Sequence, residues 1–421
     1  MAFREVASVT RGLAVEEAAA VGRWRAETPG CGGRVHLNNA GAALAPAAVL
    51  EAVRGHLARE AEIGGYEAAD EAAERVAGVY EAVAEMIGGA ARNVAVVENA
   101  TAGTALALSS IELRPGDRIV TSRSDYPSNQ IMYWSLGRRF GVETVIAGEL
   151  PEGGVDPESV RQLVRDPRCK LMALSWVPTN SGLVQAAAEV GEVCAAAGVP
   201  FLVDACQCVG QMTIDVGRLR CDFLSASARK FMRGPRGIGF LYVSDAALAR
   251  GAQPLLPDLR GATWTGPREF QLSPGARRFE NWEFSHALVL GMGAAARYAA
   301  AVGEAGPARA WRLAAALRGR LEAMPWARVL DRGARRCAIV SAEIRGWDAE
   351  ALKLRLRERG INTSAAAREH GLLDMDAKGA TTMLRVSPHY YNTEQELDTL
   401  VEALAELVAA PPVDRPRPAA G

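Results

Sequence analysis

Four short segments of the chain carry residue types that seldom stand where they do without a partner. Ser225-Ala-Ser-Ala-Arg-Lys230 leaves an apolar run and is followed by Gly234-Pro-Arg-Gly237-Ile-Gly239. A lysine that leaves a buried strand into a crevice can be desolvated, which frees its amine for a Schiff base. Ser227 and Arg229 flank it with a hydroxyl and a fixed cation, both suited to a phosphate. Asp204 closes the apolar run Phe201-Leu-Val203. A carboxylate there is costly unless something pairs with it, and a protonated pyridine nitrogen is one such partner. Asn99-Ala-Thr101-Ala102-Gly103-Thr104 stands between a strand and a helix, where free amides and a positive dipole end suit a phosphate and Gly103 permits close approach of the backbone. Arg385, within Met383-Leu-Arg-Val-Ser387, places a guanidinium in an apolar strand, where it wants a bidentate carboxylate. In chain order these are a phosphate seat, an acid for a ring nitrogen, an amine for an aldehyde and a clamp for a substrate carboxylate. That is the set needed to work on an amino acid with pyridoxal 5'-phosphate. Each also has a plainer reading: a helix cap, a buried ion pair, a lysine in a basic surface loop, a structural Arg–carboxylate pair.

The elements that position these residues follow a regular alternation. Short apolar runs at 94–97, 118–121, 144–146, 170–177, 200–203, 222–225 and 237–243 read as strands, with helices from Thr101 and over 186–197 between them. Near-continuous apolar strands joined by helices predict an α/β sheet buried on both faces and mostly parallel. Helical stretches are expected over 15–24, 47–63 and 68–87, with Gly64-Gly65 breaking the second from the third. A long helix over 285–302 leads into a smaller α+β unit. That unit has a strand at 337–344, a helix at 348–358, a strand at 382–387 and a last helix from Thr393, where Thr393 and Glu396 fit a capping box. The expected organisation is an N-terminal arm (1–30), which can pack with the small unit, a large α/β domain (31–284), a linking helix (285–305), a small α+β domain (306–410) and a disordered Pro-rich tail (411–421).

Composition narrows the class of function. With 421 residues, 49% of them hydrophobic, the chain can bury a sizeable core, and a formal net charge of -1 without clustered basic residues argues against a nucleic-acid partner. Seven cysteines, an odd number and several inside apolar runs, read as buried thiols of a reducing compartment. Cys206-x-Cys208 lacks a second ligand pair at metal spacing, so no metal is expected. The first 30 residues have no continuous apolar core after a basic start, and no run of about 18 apolar residues occurs. Neither a leader nor a membrane span is expected, and the location is expected to be cytoplasmic.

The stretch Val203-Asp-Ala-Cys-Gln207, Cys221-Asp-Phe-Leu-Ser-Ala-Ser-Ala-Arg-Lys230 and Gly234-Pro-Arg-Gly-Ile-Gly239 resembles the cofactor-binding signature of class V aminotransferase-like enzymes. That family includes cysteine desulfurases, isopenicillin N epimerase-like proteins and C–S lyases, and the resemblance extends over about residues 34–405. It implies the fold type I architecture of pyridoxal-phosphate-dependent transferases and a homodimer with sites near the subunit interface. It implies that Lys230 carries the cofactor as a Schiff base, that Asp204 pairs with the pyridine nitrogen and that Gln207 lies near the phenolic oxygen. Thr101, the Ala102 and Gly103 amides and Ser227 would take the phosphate, and Arg385 the substrate carboxylate.

Three departures from the pattern shape the expected chemistry. Desulfurases carry a nucleophilic cysteine after the small-domain strand, whereas 360–370 here reads Gly-Ile-Asn-Thr-Ser-Ala-Ala-Ala-Arg-Glu-His, with no cysteine after Cys337. Arg229 stands where a histidine usually precedes the lysine, which keeps a phosphate donor but removes an acid/base. The histidine that usually stacks on the ring is missing from Asp125-Tyr-Pro-Ser-Asn129, leaving Tyr126 or Trp134 for that place. Glu60-Ala-Glu-Ile-Gly-Gly-Tyr66 and Arg385-Val-Ser-Pro-His-Tyr-Tyr-Asn-Thr393 resemble C–S lyases of ergothioneine-type thiol pathways and related epimerase-like enzymes. In that branch Tyr66 and Asn38 would line the substrate pocket; interface packing and turn formation are their structural alternatives. The expectation is an enzyme acting on an amino-acid substrate, as a C–S lyase by β-elimination, with transamination or epimerisation on the same fold as alternatives. A cofactor-binding regulatory module without turnover is the alternative from another class.

Overall fold

The computed structural model describes residues 15–410. Residues 1–14 of the arm and the tail 411–421 lie outside the described residues. Its centre is a seven-stranded sheet: β1 (Val94–Val97), β2 (Arg118–Thr121), β3 (Glu143–Ile146), β4 (Cys169–Ser175), β5 (Phe201–Asp204), β6 (Phe223–Ser227) and β7 (Gly239–Val243). They lie in the order β1-β7-β6-β5-β4-β2-β3. Only β7 runs antiparallel to its neighbours. Strands β1, β5, β6 and β7 are buried at every position, as a sheet covered by helices on both faces requires. The expected strands all form, shifted by up to two residues at their ends.

The parallel register places polar residues side by side where the strands stop. Ser175 of β4 pairs with Asp204 of β5, and Asp204 pairs with Ser225 of β6. In such sheets ligands sit beyond the carboxyl ends of the strands. Gly103 in the helix Ala100–Ser109 faces Ser225, Leu241 and Val97, so its missing side chain lets that helix lie close on the sheet.

A second, four-stranded sheet is antiparallel throughout: β8 (Ala327–Val329), β9 (Val340–Ile344), β10 (Ser364–Ala367) and β11 (Thr382–Val386), in the order β8-β9-β11-β10. The segment 35–36 pairs with 361–362, and Asn38 bridges to Ser387, which brings the N-terminal part of the chain to the edge of this unit. Helix 15–26 packs there as well: Trp24 meets Tyr390 edge-on and Arg25 pairs with Glu396. The last helix, Glu394–Ala409, has the expected capping box of Thr393 and Glu396. No helix among the described residues is long and apolar enough to cross a membrane.

Three expectations about elements change. The helix expected over 68–87 is two helices, Gly65–Glu71 and Ala73–Ile87, meeting at Ala72, and Gly64 (φ 102°) turns the chain ahead of the first. The hairpin Ala262–Gly266/Glu269–Leu272 and strand β10 escape the sequence because neither shows an alternation of buried and exposed residues. Helices Pro127–Phe140 and Ala305–Glu322 were also not foreseen.

Candidate active site

A cleft of about 440 Å³ opens at the strand ends, lined by Asn99, Thr101, Tyr126, Asp204, Cys206, Ser227, Arg229 and Lys230, with Glu98 and Arg236 also on its wall. A larger cleft of about 760 Å³ runs between Leu108–Leu113 and Arg250–Leu255, but Glu112 and Arg250 are its only charged side chains. Volume alone therefore does not mark the chemistry; the convergence of titratable groups does.

Lys230 follows β6 in a tight turn and is 7% exposed. Among the described residues its Nζ has no hydrogen-bond or ion-pair partner; it lies 5.8 Å from the centre of the Tyr126 ring. A buried amine left free in this way is available to a ligand carbonyl. Asp204 is also 7% exposed. Its Oδ1 accepts from the Cys206 amide at 2.9 Å and its Oδ2 from Asn129 Nδ2 at 3.1 Å. Two neutral donors leave this carboxylate lone pairs for a further partner.

Tyr126 is half-buried on the cleft wall, its amide anchored on Asp125 and on Ser175 Oγ. Trp134, on the outer side of helix Pro127–Phe140, is 45% exposed and absent from the cleft. Of the two candidates for a stacking ring, only Tyr126 is in place.

The phosphate seat is smaller than the sequence implies. The Ala100 amide donates to Ser227 Oγ at 2.9 Å, the Ala102 amide to the capping Asn99 side chain at 2.9 Å, and the Gly103 amide to Asn99 O at 3.1 Å. Ala102 and Gly103 are thus spent on the helix's own first turn and lie off the cleft; Thr101 keeps a free amide and its hydroxyl. Ser227 remains on the wall, and Arg229 has one N–H committed to the Gly41 carbonyl.

Arg385 is buried in the middle of β11. Its Nη1 donates to Thr179 O at 2.9 Å and Thr179 Oγ1 at 3.2 Å, and its Nη2 to Asn38 Oδ1 at 3.2 Å. Its Nε has no acceptor and no carboxylate among the described residues pairs with it. Burial lowers its pKa to about 10, the nearby Arg229 cation adds to the drop, and Tyr126 opposes it. A buried guanidinium without a counter-charge is what the clamp for a carboxylate would look like before the carboxylate arrives. Gln207 turns its amide nitrogen to Ala40 O at 3.1 Å and Thr179 Oγ1 at 3.3 Å, while its buried Oε1 has no donor. Thr179 thereby links Gln207 to Arg385, a connection the sequence did not suggest.

Tyr66 departs from expectation. It is 77% exposed on the short helix Gly65–Glu71 and lines no part of the cleft, because that helix carries its ring outward. Asn38, by contrast, does reach the site, through Arg385. Asp125, Asn129, Thr179 and Arg236 were missed; for the first two the four-residue spacing on one helix face was a readable signal. Among the described residues no group of three or more His, Cys, Asp or Glu side chains could hold a metal.

The residues fit pyridoxal phosphate on three observations: the unpartnered buried amine of Lys230, the under-occupied carboxylate of Asp204 and the uncompensated guanidinium of Arg385. Comparison with known proteins agrees. The chain is 30% identical to the probable hercynylcysteine sulfoxide lyase of Mycobacterium tuberculosis, over 92% of this chain and 93% of that one. It is 28% identical to isopenicillin N epimerase of Streptomyces clavuligerus, over 78% and 83%. Its fold matches a cysteine desulfurase of Escherichia coli with a TM-score of 0.84 at 22% identity, covering 93% of this chain and 98% of that one. The family model "Aminotransferase class-V" matches residues 35–400, from the first paired strand through Arg385 and into the last helix. The chain is therefore an enzyme of the class V aminotransferase family, whose cofactor is pyridoxal phosphate.

Proposed function

We propose that this enzyme cleaves the Cβ–S bond of a sulfur-bearing amino acid, with Lys230, Asp204 and Arg385 as its principal residues. The observation that carries the proposal is the joint placement at one cleft of a free buried amine and an available carboxylate, adjoined by a guanidinium without a counter-ion. When bound, pyridoxal phosphate supplies the electron sink that makes the substrate's Cα–H acidic. Lys230 would hold the cofactor through its amine, and the same amine, once free, would take the proton from Cα. Arg385, steadied by Thr179 and Asn38, orients the substrate through its carboxylate, which decides which bond at Cα or Cβ stands ready to break. Tyr126 would cover the ring, Gln207 would lie near its phenolic oxygen, and Thr101, Ser227 and Arg229 would take the phosphate. In substrate terms, Cα loses its proton, the sulfur leaves as thiolate or sulfenate with the electron pair of the Cβ–S bond, and the enamine hydrolyses to pyruvate and ammonia.

Two facts favour elimination over sulfur transfer to the protein. No cysteine lies between 338 and 421, so the segment after β10 offers no thiol to receive sulfur. The relative covered almost end to end is named as a sulfoxide lyase. A second copy of the chain completes the assembly: Tyr66, Leu256, Trp264, Phe270 and Trp282 are large apolar side chains more than half exposed, and they would be covered in a homodimer.

The test is incubation of the holoprotein with S-substituted cysteines and their S-oxides, measuring pyruvate and ammonia, beside Lys230→Ala. One mole of pyruvate per mole of thiol or sulfenate, abolished in the variant, is the expected result. Cofactor conversion to its amine form with a keto acid would replace lyase by transaminase, and a change of configuration at Cα without pyruvate would replace it by epimerase. Sedimentation of the holoprotein as a monomer at micromolar concentration would remove the homodimer.

A further inference from the structure

Asp125, Asn129 and Tyr133 form a buried polar cluster beside Asp204 to which the roles above assign nothing. They are 4%, 2% and 1% exposed. Their spacing of four residues, with Asp125 just ahead of the helix Pro127–Phe140, sets all three along one face. Asp125 Oδ1 accepts from the Tyr126 amide at 2.7 Å, the Ser175 amide at 3.1 Å and the Ser175 hydroxyl. Its Oδ2 accepts from Thr121 Oγ1 at 2.7 Å and from Tyr133 Oη at 3.0 Å. With the longer contact from Asn129 Nδ2, six neutral donors and no cation hold this carboxyl in place. Burial pushes its pKa up, the Ser175 and Thr121 hydroxyls oppose that, and the charge of Asp204 adds to it.

Asn129 stands between the two acids. Its Nδ2 donates to Asp204 Oδ2 at 3.1 Å and lies 3.5 Å from Asp125 Oδ1, while its own Oδ1 is buried without a donor. Reversing the amide would set a carbonyl oxygen against two carboxylates, so the nitrogen faces Asp204 and the orphaned oxygen is the consequence. The other ionisable groups on the cleft with Asp204 are Glu98, Tyr126, Cys206, Arg229, Lys230 and Arg236, and Cys208 and Tyr133 also feel its charge.

We propose that Asn129 is a positioning residue: held by Asp125, it fixes the orientation of the Asp204 carboxylate that meets the cofactor's ring nitrogen, while the same Asp125 anchors Tyr126 at the ring's face. The inference rests on the reading of Asp204 as the partner of that nitrogen. A carboxylate that loses this donor is no longer held in one orientation, and it meets a charged ring nitrogen less well. One buried hub thus sets two contacts to one ring, so that the ring's tilt and its protonation are controlled together.

The experiment follows the visible absorption of the holoprotein from pH 5.5 to 10 and the affinity of the apoprotein for pyridoxal phosphate by quenching of tryptophan fluorescence. Asn129→Leu, Asn129→Ser and Asp204→Asn are compared with the wild type, with circular dichroism as the control for folding. Both Asn129 variants are expected to shift the spectral midpoint in the same direction as Asp204→Asn, by about one pH unit, and to weaken cofactor binding about tenfold. The serine variant keeps the test decisive if leucine disrupts the fold. Asn129 variants that titrate like the wild type while Asp204→Asn shifts would overturn the inference alone. An Asp204→Asn protein that itself titrates like the wild type would overturn the assignment of Asp204, and the inference with it.

Discussion

Replacing Arg385 by methionine separates a binding cation from a structural one. The side chain is 7% exposed, and its pKa, lowered by burial to about 10, means that keeping it charged costs the folded protein about 3 kcal/mol. Because a base with a depressed folded-state pKa burdens the native state wherever it is charged, that cost is present in full at every pH well below about 10, neutral pH included. Against it stand the hydrogen bonds to Thr179 and Asn38, three contacts worth about 1 kcal/mol each. The two sides nearly cancel, and methionine fills similar volume with no charge. The expected change in stability of the apoprotein is therefore within about 1 kcal/mol, or about 1 °C in Tm for a chain of this size. Binding should respond quite differently: loss of a desolvated charge pair with the substrate carboxylate costs about 2–5 kcal/mol, so KM should rise about thirtyfold or more. The assay is differential scanning calorimetry of the apoprotein beside steady-state kinetics on a carboxylate-bearing substrate and its decarboxylated analogue. Discrimination between the two should collapse in the variant. A drop of more than about 10 °C in Tm with unchanged discrimination would refute the reasoning and make Arg385 a structural residue.

Further outcomes follow from individual contacts. Lys230→Ala should lose the visible band of the holoprotein while keeping the wild-type circular dichroism, since the Lys230 amine has no hydrogen-bond or ion-pair partner among the described residues. Gly103→Ala should leave cofactor affinity unchanged and stability within about 1 kcal/mol, because the added Cβ would meet Ser225, Leu241 and Val97 at 3.4–3.5 Å and the Gly103 amide is not free for phosphate; a tenfold loss of affinity, seen by fluorescence titration, would restore the glycine to the phosphate site. Thiol reagents should react slowly with the native protein and with all seven cysteines after denaturation, because all are buried and burial raises the pKa of Cys194 and of Cys337 to about 12. His389 is held well below 6.5, by burial first and then by Arg233. The unfolded chain therefore binds the extra proton below pH 6.5 and stability falls as pH drops through that value, by up to about 1.4 kcal/mol per pH unit. Tm measured from pH 7.5 to 5 should decline less steeply in His389→Gln.

The sequence made the strands and their order of chemistry legible because a sheet buried on both faces writes itself as apolar runs, and a charged residue at the end of such a run stands out. Asp204, Lys230 and Arg385 were visible for that reason. What stayed hidden were residues whose partners come from distant parts of the chain. Thr179 joins Gln207 to Arg385 across 28 and 206 positions, and Asn129 reaches Asp204 across 75. No local pattern encodes such contacts. The Ala102 and Gly103 amides failed for the opposite reason: local chemistry, the Asn99 cap, had already claimed one and the regular helix ladder the other.

Arg233 shows why a buried cation is not in itself a sign of function. It is 1% exposed and, like Arg385, has no carboxylate partner among the described residues; a scan for cations in apolar surroundings would rank the two together. Yet its Nε donates to Leu44 O at 2.8 Å, its Nη1 to Tyr390 Oη at 2.8 Å and its Nη2 to Thr28 Oγ1 at 2.5 Å. The rings of Tyr391, Tyr390 and Tyr298 surround its guanidinium with centroids 4.6, 5.2 and 5.3 Å away. Every edge of the group is answered by the protein, and its pKa stays raised despite burial, through the surrounding tyrosines. Arg385 has an orphaned Nε and a depressed pKa, and Lys230 has no hydrogen-bond or ion-pair partner among the described residues. The difference lies in saturation. A structural cation is satisfied at every edge by its own fold, whereas one reserved for a ligand keeps a donor that its fold leaves open. By that criterion Arg233 ties the turn after Lys230 to the N-terminal arm and to the segment before the last helix, and only Lys230 and Arg385 are left waiting for chemistry.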